Sequence, residues 1–275
     1  MKFSDLNMEI EKIDTMLLNI CNISIKAGKK ILEYYEEDNK IFLKKDESPL
    51  TNADLSSNKI IIEELKKFNN TIPILSEEAL VDWDKRKGWD TYWLIDPLDG
   101  TKEFIKKNDE FTVNIALIEN HKPILGVIFA PALSTIYYAY QNFGSYKINC
   151  SNVLNFLDKS SKIFTNRKNK NDNLLVIGSR SHTNKDFDNW VQNNIEDYKL
   201  IKKGSSLKFC NIADGNADLY PRFGLTSEWD IAAGHIILIE AGGTINSIDN
   251  QEIVYNTKEQ ILNPYFIASG LDPNE

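Results

Sequence analysis

The sequence predicts a mixed α/β protein. Three observations carry that reading: an apolar stripe at helical spacing near the N-terminus, a middle third of β-prone runs separated by turn residues, and a late apolar helix closed by glycines. In the first, Ile10, Ile13, Met16, Leu17, Ile20, Ile23, Ile31 and Leu32 place residues 6–37 in a long amphipathic helix, with a break expected near Gly28. Ile41-Phe42-Leu43 then gives a short strand, and residues 52–68 a second helix with Ile60, Ile61 and Leu65 inward. Residues 71–75 and 92–95 are β-prone and apolar. Residues 111–119, 124–130 and 135–140 follow as three strands of an antiparallel meander, broken by Asn120-His121-Lys122-Pro123 and Pro131-Ala132. Residues 150–173, rich in Asn, Lys, Ser and Asp, read as a surface loop. Beyond it come a buried strand at 174–178, a helix at 186–195, a strand at 200–202, a helix opening near Ser205, and the apolar helix from Asp230 to the glycines at 242 and 243.

Composition sets outer bounds. The chain has 275 residues, 42% of them apolar and 26% charged, which describes a globular protein of one or two domains. No apolar run is long enough to cross a membrane, and Met1-Lys2-Phe3-Ser4-Asp5 does not lead into a signal peptide, so a cytoplasmic protein is expected. Cys21, Cys150 and Cys210 are scattered and odd in number, which argues against a disulfide framework or a zinc site. A net charge of −8 argues against nucleic-acid binding, which needs a basic surface. It does not exclude a small phosphorylated ligand, because bound cations can make an acidic pocket attractive to phosphate.

Three acidic clusters stand at the ends of predicted elements. Asp96 and Asp99 follow the apolar run Trp93-Leu94-Ile95, Ser76-Glu77-Glu78 ends the run Thr71-Ile72-Pro73-Ile74-Leu75, and Asp230 opens the late helix. Packed together without a cation, such carboxylates would raise one another's pKa; hard divalent ions such as Mg²⁺ take oxygen ligands from groups of this kind. Each cluster has a plainer reading as well. Pro97-Leu98-Asp99-Gly100 suits an ordinary turn, expected to begin at Pro97, Thr101 and Asp230 suit helix caps, and Asp54 suits an acid in a helix's first turn.

Taken together and in order, these residues resemble a known family. Glu77-Glu78, Asp96-Pro97-Leu98-Asp99-Gly100-Thr101, Trp229-Asp230 and Glu240-Ala241-Gly242-Gly243 are similar to the motifs of the lithium-sensitive, magnesium-dependent phosphomonoesterases that include inositol monophosphatase. Asp46-Glu47-Ser48-Pro49-Leu50-Thr51-Asn52-Ala53-Asp54, Thr101-Lys102-Glu103-Phe104-Ile105, Gly204-Ser205-Ser206-Leu207-Lys208 and Ala217-Asp218-Leu219-Tyr220-Pro221-Arg222 resemble the bacterial CysQ-type 3′(2′),5′-bisphosphate nucleotidases. The one departure is Leu225, where that branch usually has proline, which predicts a looser loop before Glu228.

The resemblance implies a layered α-β-α-β-α sandwich, with an N-terminal sub-domain of residues 1–150, a C-terminal one of 151–275, and the site in the cleft between them. It implies two or more Mg²⁺ ions held by Glu77, Asp96, the carbonyl of Leu98, Asp99 and Asp230. Thr101 and Asp54, assisted by Glu77, would activate the attacking water. Gly100 and Thr101 amides would hold the cleaved phosphate beside Asp230, while Ser179, His182, Ser205 and Lys208 would bind the nucleotide and its second phosphate. Arg222 would add charge or pair with Glu228. The substrate implied is a small phosphorylated nucleotide, adenosine 3′,5′-bisphosphate first and 3′-phosphoadenylyl sulfate second, in sulfate assimilation. Inositol monophosphatase activity and a non-catalytic nucleotide-binding module are the alternatives. Oligomeric state stays open, as does peripheral attachment to the inner membrane, for which the acidic composition gives no electrostatic reason.

Overall fold

Helix α1 (Phe3–Tyr35) runs without a break, because Gly28 serves packing rather than bending. A Cβ there would lie 2.4 Å from the Phe129 ring, so glycine lets the helix press onto the sheet beneath it. The structure is a computed structural model describing residues 3–36, 41–43, 49–150, 159–180 and 185–272. A short pair, β1 (Ile41–Leu43) and β2 (Pro49–Thr51), leads into α2 (Asn52–Phe68), which packs beside α1.

The first large sheet has seven strands in chain order: β3 (Ile74–Ser76), β4 (Thr91–Asp99), β5 (Thr112–Glu119), β6 (Lys122–Ala130), β7 (Thr135–Tyr140), β8 (Gly144–Asn149) and β9 (Ser161–Ile163). β3 runs parallel to β4, and the rest is antiparallel. The meander expected from three strands thus extends to two more, one of them inside the segment expected as loop. β9 escaped notice because it is an edge strand with only Ile163 buried, so it carries no apolar pattern. Between α2 and β5 lie two short helices, α3 (Trp83–Arg86) and α4 (Thr101–Ile105).

The second sheet has five strands in the order β11 (Tyr198–Lys203), β10 (Leu174–Ser179), β12 (Leu219–Arg222), β14 (Phe266–Ser269), β13 (Thr244–Ser247). Helix α5 (Lys185–Asn194) covers its outer face, and α6 (Leu207–Ala213) and α7 (Glu228–Glu240) fill the space between the sheets. Alternation along β4 fixes the layers: Trp93 and Ile95 join the α1/α2 core, Tyr92 and Leu94 the α7 core. The result is the α-β-α-β-α sandwich expected. Its order is α1/α2, seven strands, α6/α7, five strands, α5.

Candidate active site

The centre of the site is an irregularity in β4. Asp96 pairs with Asn114 and Asp99 with Thr112, so three steps on β4 face two on β5 and one residue bulges out. Pro97 stands in that bulge. The strand therefore continues through it instead of turning there, since a proline, having no N–H to place in the ladder, is tolerated at a bulge. Its carbonyl accepts from Ser57 Oγ at 2.7 Å, and Asp96 Oδ1 accepts from the Leu98 amide at 3.1 Å. Gly100 then takes φ +90° as the N-cap of α4, a conformation other residues avoid.

Four acids meet around this bulge. The Glu77 amide bonds the Ile95 carbonyl at 3.2 Å, which sets Glu77 beside Asp96 across the parallel β3–β4 pair. Asp230 arrives at the start of α7. Burial, then the charges of Glu77, Asp99 and Asp230, push the Asp96 carboxyl well above its usual value. Burial and the charges of Asp99 and Glu77 do the same to Asp230. Asp99 is raised by burial, against the pull of the Lys208 charge and the Ser206 hydroxyl. Among the described residues no three such groups are drawn together as tightly as metal ligands. Their mutual repulsion nonetheless marks a site short of positive charge, and an all-oxygen donor set fits Mg²⁺. Ser206 Oγ braces it. It receives a bond from Asn114 Nδ2 at 2.8 Å and lies 2.7 Å from both Asp99 Oδ2 and the Asp230 carbonyl, its single proton serving one of them.

Asp54 lies beside this cluster, buried, and its two oxygens do different things. Oδ2 accepts from the Thr51 amide at 2.7 Å and the Thr51 hydroxyl at 2.6 Å, closing the N-terminus of α2. Oδ1 accepts from Thr101 Oγ1 at 3.1 Å. Burial raises the Asp54 pKa against the hydrogen bonds from Thr51 and Thr101. Thr101 is not a cap, since Gly100 occupies that position.

A cleft of about 270 Å³ opens over these groups and is lined by Glu77, Asp99, Gly100, Thr101, Ser179, Ser205, Lys208, Tyr220, Arg222 and Asp230. Asp54, Asp96 and Leu98 are buried. Lys208 Nζ donates to the Ser205 carbonyl at 2.6 Å and lies 5.4 Å from the centre of the Tyr220 ring. His182 falls outside the described residues. Arg222 does not pair with Glu228. Its guanidinium donates to the Gly224 and Leu225 carbonyls at 3.2 and 3.0 Å, in the loop before Glu228. Glu228 instead accepts from the Asn256 amide at 3.0 Å. Two residues carried no sequence signal: Asn114, on a β-strand, and Glu110, whose partners lie about 70 to 94 positions away.

The model of the inositol monophosphatase family matches residues 12–271. The chain belongs to that family. Among its members, the 3′(2′),5′-bisphosphate nucleotidase CysQ of Salmonella typhimurium is 42% identical over 253 residues, covering 91% of this chain and 98% of that protein. CysQ of Escherichia coli K12 is 40% identical over 92% of this chain and 99% of its own length. The crystal structure of CysQ from Bacteroides thetaiotaomicron superposes with a TM-score of 0.82 at 38% identity, covering 93% and 97% of the two chains. An inositol monophosphatase from Thermotoga maritima, 23% identical over 96% and 94%, shares the fold with a TM-score of 0.72. Within the family, this chain is thus similar to nucleotidases across nearly its whole length.

Proposed function

We propose that this chain is a Mg²⁺-dependent 3′(2′),5′-bisphosphate nucleotidase that hydrolyses adenosine 3′,5′-bisphosphate to AMP and phosphate. The observation that carries the reading is that Ser205 and Lys208 line the same cleft as Glu77, Asp99, Thr101 and Asp230. A simple monophosphate would not need that second polar wall. The names of the relatives support the same substrate class.

In this reading Glu77, Asp96, the Leu98 carbonyl, Asp99 and Asp230 would hold two or more Mg²⁺ ions. When bound, these supply Lewis-acid stabilisation of the phosphoryl charge. The chain's own groups do the rest. Thr101 Oγ1 donates to Asp54 and so presents a lone pair to the attacking water, orienting it and drawing its proton towards the Asp54–Thr101 pair, with Glu77 assisting. Water oxygen bonds to phosphorus as the bond to the ribose 3′-oxygen breaks, and that oxygen takes a proton from a solvent water as it leaves. Gly100 and Thr101 amides steady the transferred group, Ser205 and Lys208 the phosphate that stays, and Ser179 and His182 the nucleoside. Inhibition by Li⁺, a second activity on 3′-phosphoadenylyl sulfate, a place in sulfur metabolism and a cytoplasmic location belong to the same proposal. No helix among the described residues is long and apolar enough to cross a membrane.

Phosphate release from adenosine 3′,5′-bisphosphate, adenosine 2′,5′-bisphosphate, inositol 1-phosphate and fructose 1,6-bisphosphate tests it. The first should give the highest kcat/KM, and all release should stop in excess chelator. A preference for inositol 1-phosphate would replace the nucleotidase reading with that of an inositol monophosphatase.

A further inference from the structure

Glu110 reaches from one layer of the sandwich into another. It precedes β5 in the seven-stranded sheet and is buried, yet its side-chain partners follow or end strands of the five-stranded sheet. Arg180, directly after β10, grips it with both prongs: Nε donates to Oε2 at 2.7 Å and Nη2 to Oε1 at 2.9 Å. The amide of Gly204, directly after β11, donates to Oε2 at 2.8 Å, and Lys203 Nζ stands 3.4 Å from Oε1. β10 and β11 are parallel neighbours in register at Ser179 and Lys203, so one carboxylate ties down the C-terminal ends of both.

Those ends deliver Ser179 and Ser205 to the cleft. The turn after β11 is closely held. Ser205 has φ +46°, which a non-glycine residue keeps only where its surroundings impose it, and a Cβ on Gly204 would lie 2.5 Å from Glu103 Cγ. Glu110 is buried while the Arg180 side chain stays 42% exposed, so solvent screens the pair and its contribution to stability is modest. Its planar, forked geometry fixes position instead.

We propose that Glu110 is a specificity-determining positioning residue, which holds Ser205 and Lys208 at a set distance from the carboxylate cluster so that a substrate carrying a second anionic group at matching separation engages both. This rests on the nucleotidase reading. Glu110→Gln keeps shape and an acceptor for Gly204 but removes the charge, and Arg180→Lys keeps charge but removes the fork. In each, KM for adenosine 3′,5′-bisphosphate should rise roughly tenfold with kcat changed less than about threefold, while adenosine 3′-monophosphate, which has no second phosphate, is affected much less. Amide hydrogen exchange over residues 203–208, which needs no substrate, should accelerate in both variants with β4 unaffected. Equal losses on the two substrates, or unaltered protection at 203–208, would overturn the proposal. If the unmodified protein releases no phosphate from any bisphosphate nucleotide, the nucleotidase reading falls, and the exchange result alone decides whether Glu110 holds the turn.

Discussion

Replacing Thr101 by valine deletes one hydroxyl and little else. Its Oγ1 lies 3.1 Å from Asp54 Oδ1, whereas Oδ2 keeps the Thr51 amide and hydroxyl at 2.7 and 2.6 Å. Asp54 thus loses one donor and retains two, and the cap on α2 stays closed. The stability cost should be on the order of 1 kcal/mol, or about 2–4 °C in Tm for a chain of this size. The catalytic cost should be far larger. A group that orients the attacking water and passes its proton contributes roughly 10²- to 10⁴-fold, so kcat should fall by at least about a hundredfold. Phosphate release at saturating Mg²⁺ measures the first quantity, and calorimetric titration of Mg²⁺ measures whether the ion still binds. Thr101→Ser, which restores the hydroxyl, should recover kcat to within about tenfold. A valine variant within threefold of the unmodified kcat, or one whose Mg²⁺ affinity falls as far as its turnover, would refute the assignment and make Thr101 a structural residue.

Asp99→Asn should reduce Mg²⁺-dependent turnover by more than roughly a hundredfold and raise the Tm of the metal-free protein, because it removes one of several mutually repelling acids; a lower metal-free Tm would contradict this. Asp96 and Asp230 have raised pKa values, so the folded metal-free protein binds protons more tightly than the unfolded chain, and their contribution to stability is lost as pH rises from about 4 upward. Mg²⁺ needs the ionised acids, so the Tm gained on adding it should widen from pH 5 to 8, and a constant gain would exclude the cluster as its site. Glu228, pushed up to about 7 by burial, adds to the same trend and His235, pushed down to about 4 by burial, opposes it, but both act with and without Mg²⁺ and largely cancel in that difference. Lys208→Ala should lower kcat/KM for adenosine 3′,5′-bisphosphate by roughly tenfold to a hundredfold more than for a monophosphate, and equal losses would remove Lys208 from substrate recognition.

What the sequence made legible follows from burial. Strands β5, β6 and β7 are buried almost throughout, so each is a long apolar run that needs no partner to be recognised. β8 reads Gly-Ser-Tyr-Lys-Ile-Asn, β9 Ser-Lys-Ile and β13 Thr-Ile-Asn-Ser, none of them a continuous apolar run, so their existence depends on neighbours that arrive from elsewhere in the chain. Pro97 shows the same limit at the site: a proline before Leu-Asp-Gly signals a turn until the register with β5 reveals a bulge. The acids of the cluster were legible because each stands at one end of an apolar element. Asn114 was not, because it meets Ser206 across 92 positions and nothing local distinguishes it from any polar strand residue.

Asp54 and Asp230 each close the first turn of a helix, and each also stands at the candidate site. Each is the third residue of its helix, and each gives one oxygen to the backbone amide that precedes that helix, Thr51 at 2.7 Å and Ser227 at 2.8 Å. Burial opposes their ionisation. The helix N-terminus offsets part of that cost through its free amides and dipole, which suits it to carry a carboxylate into a closed site. The cap also fixes the carboxylate against a rigid helix of 17 residues for Asp54 and 13 for Asp230. The second oxygen of Asp54 is thereby aimed at Thr101, and the Asp230 carbonyl is set against Ser206. A carboxylate has two oxygens, and in Asp54 the one held by Thr51 sets the position from which the other accepts from Thr101.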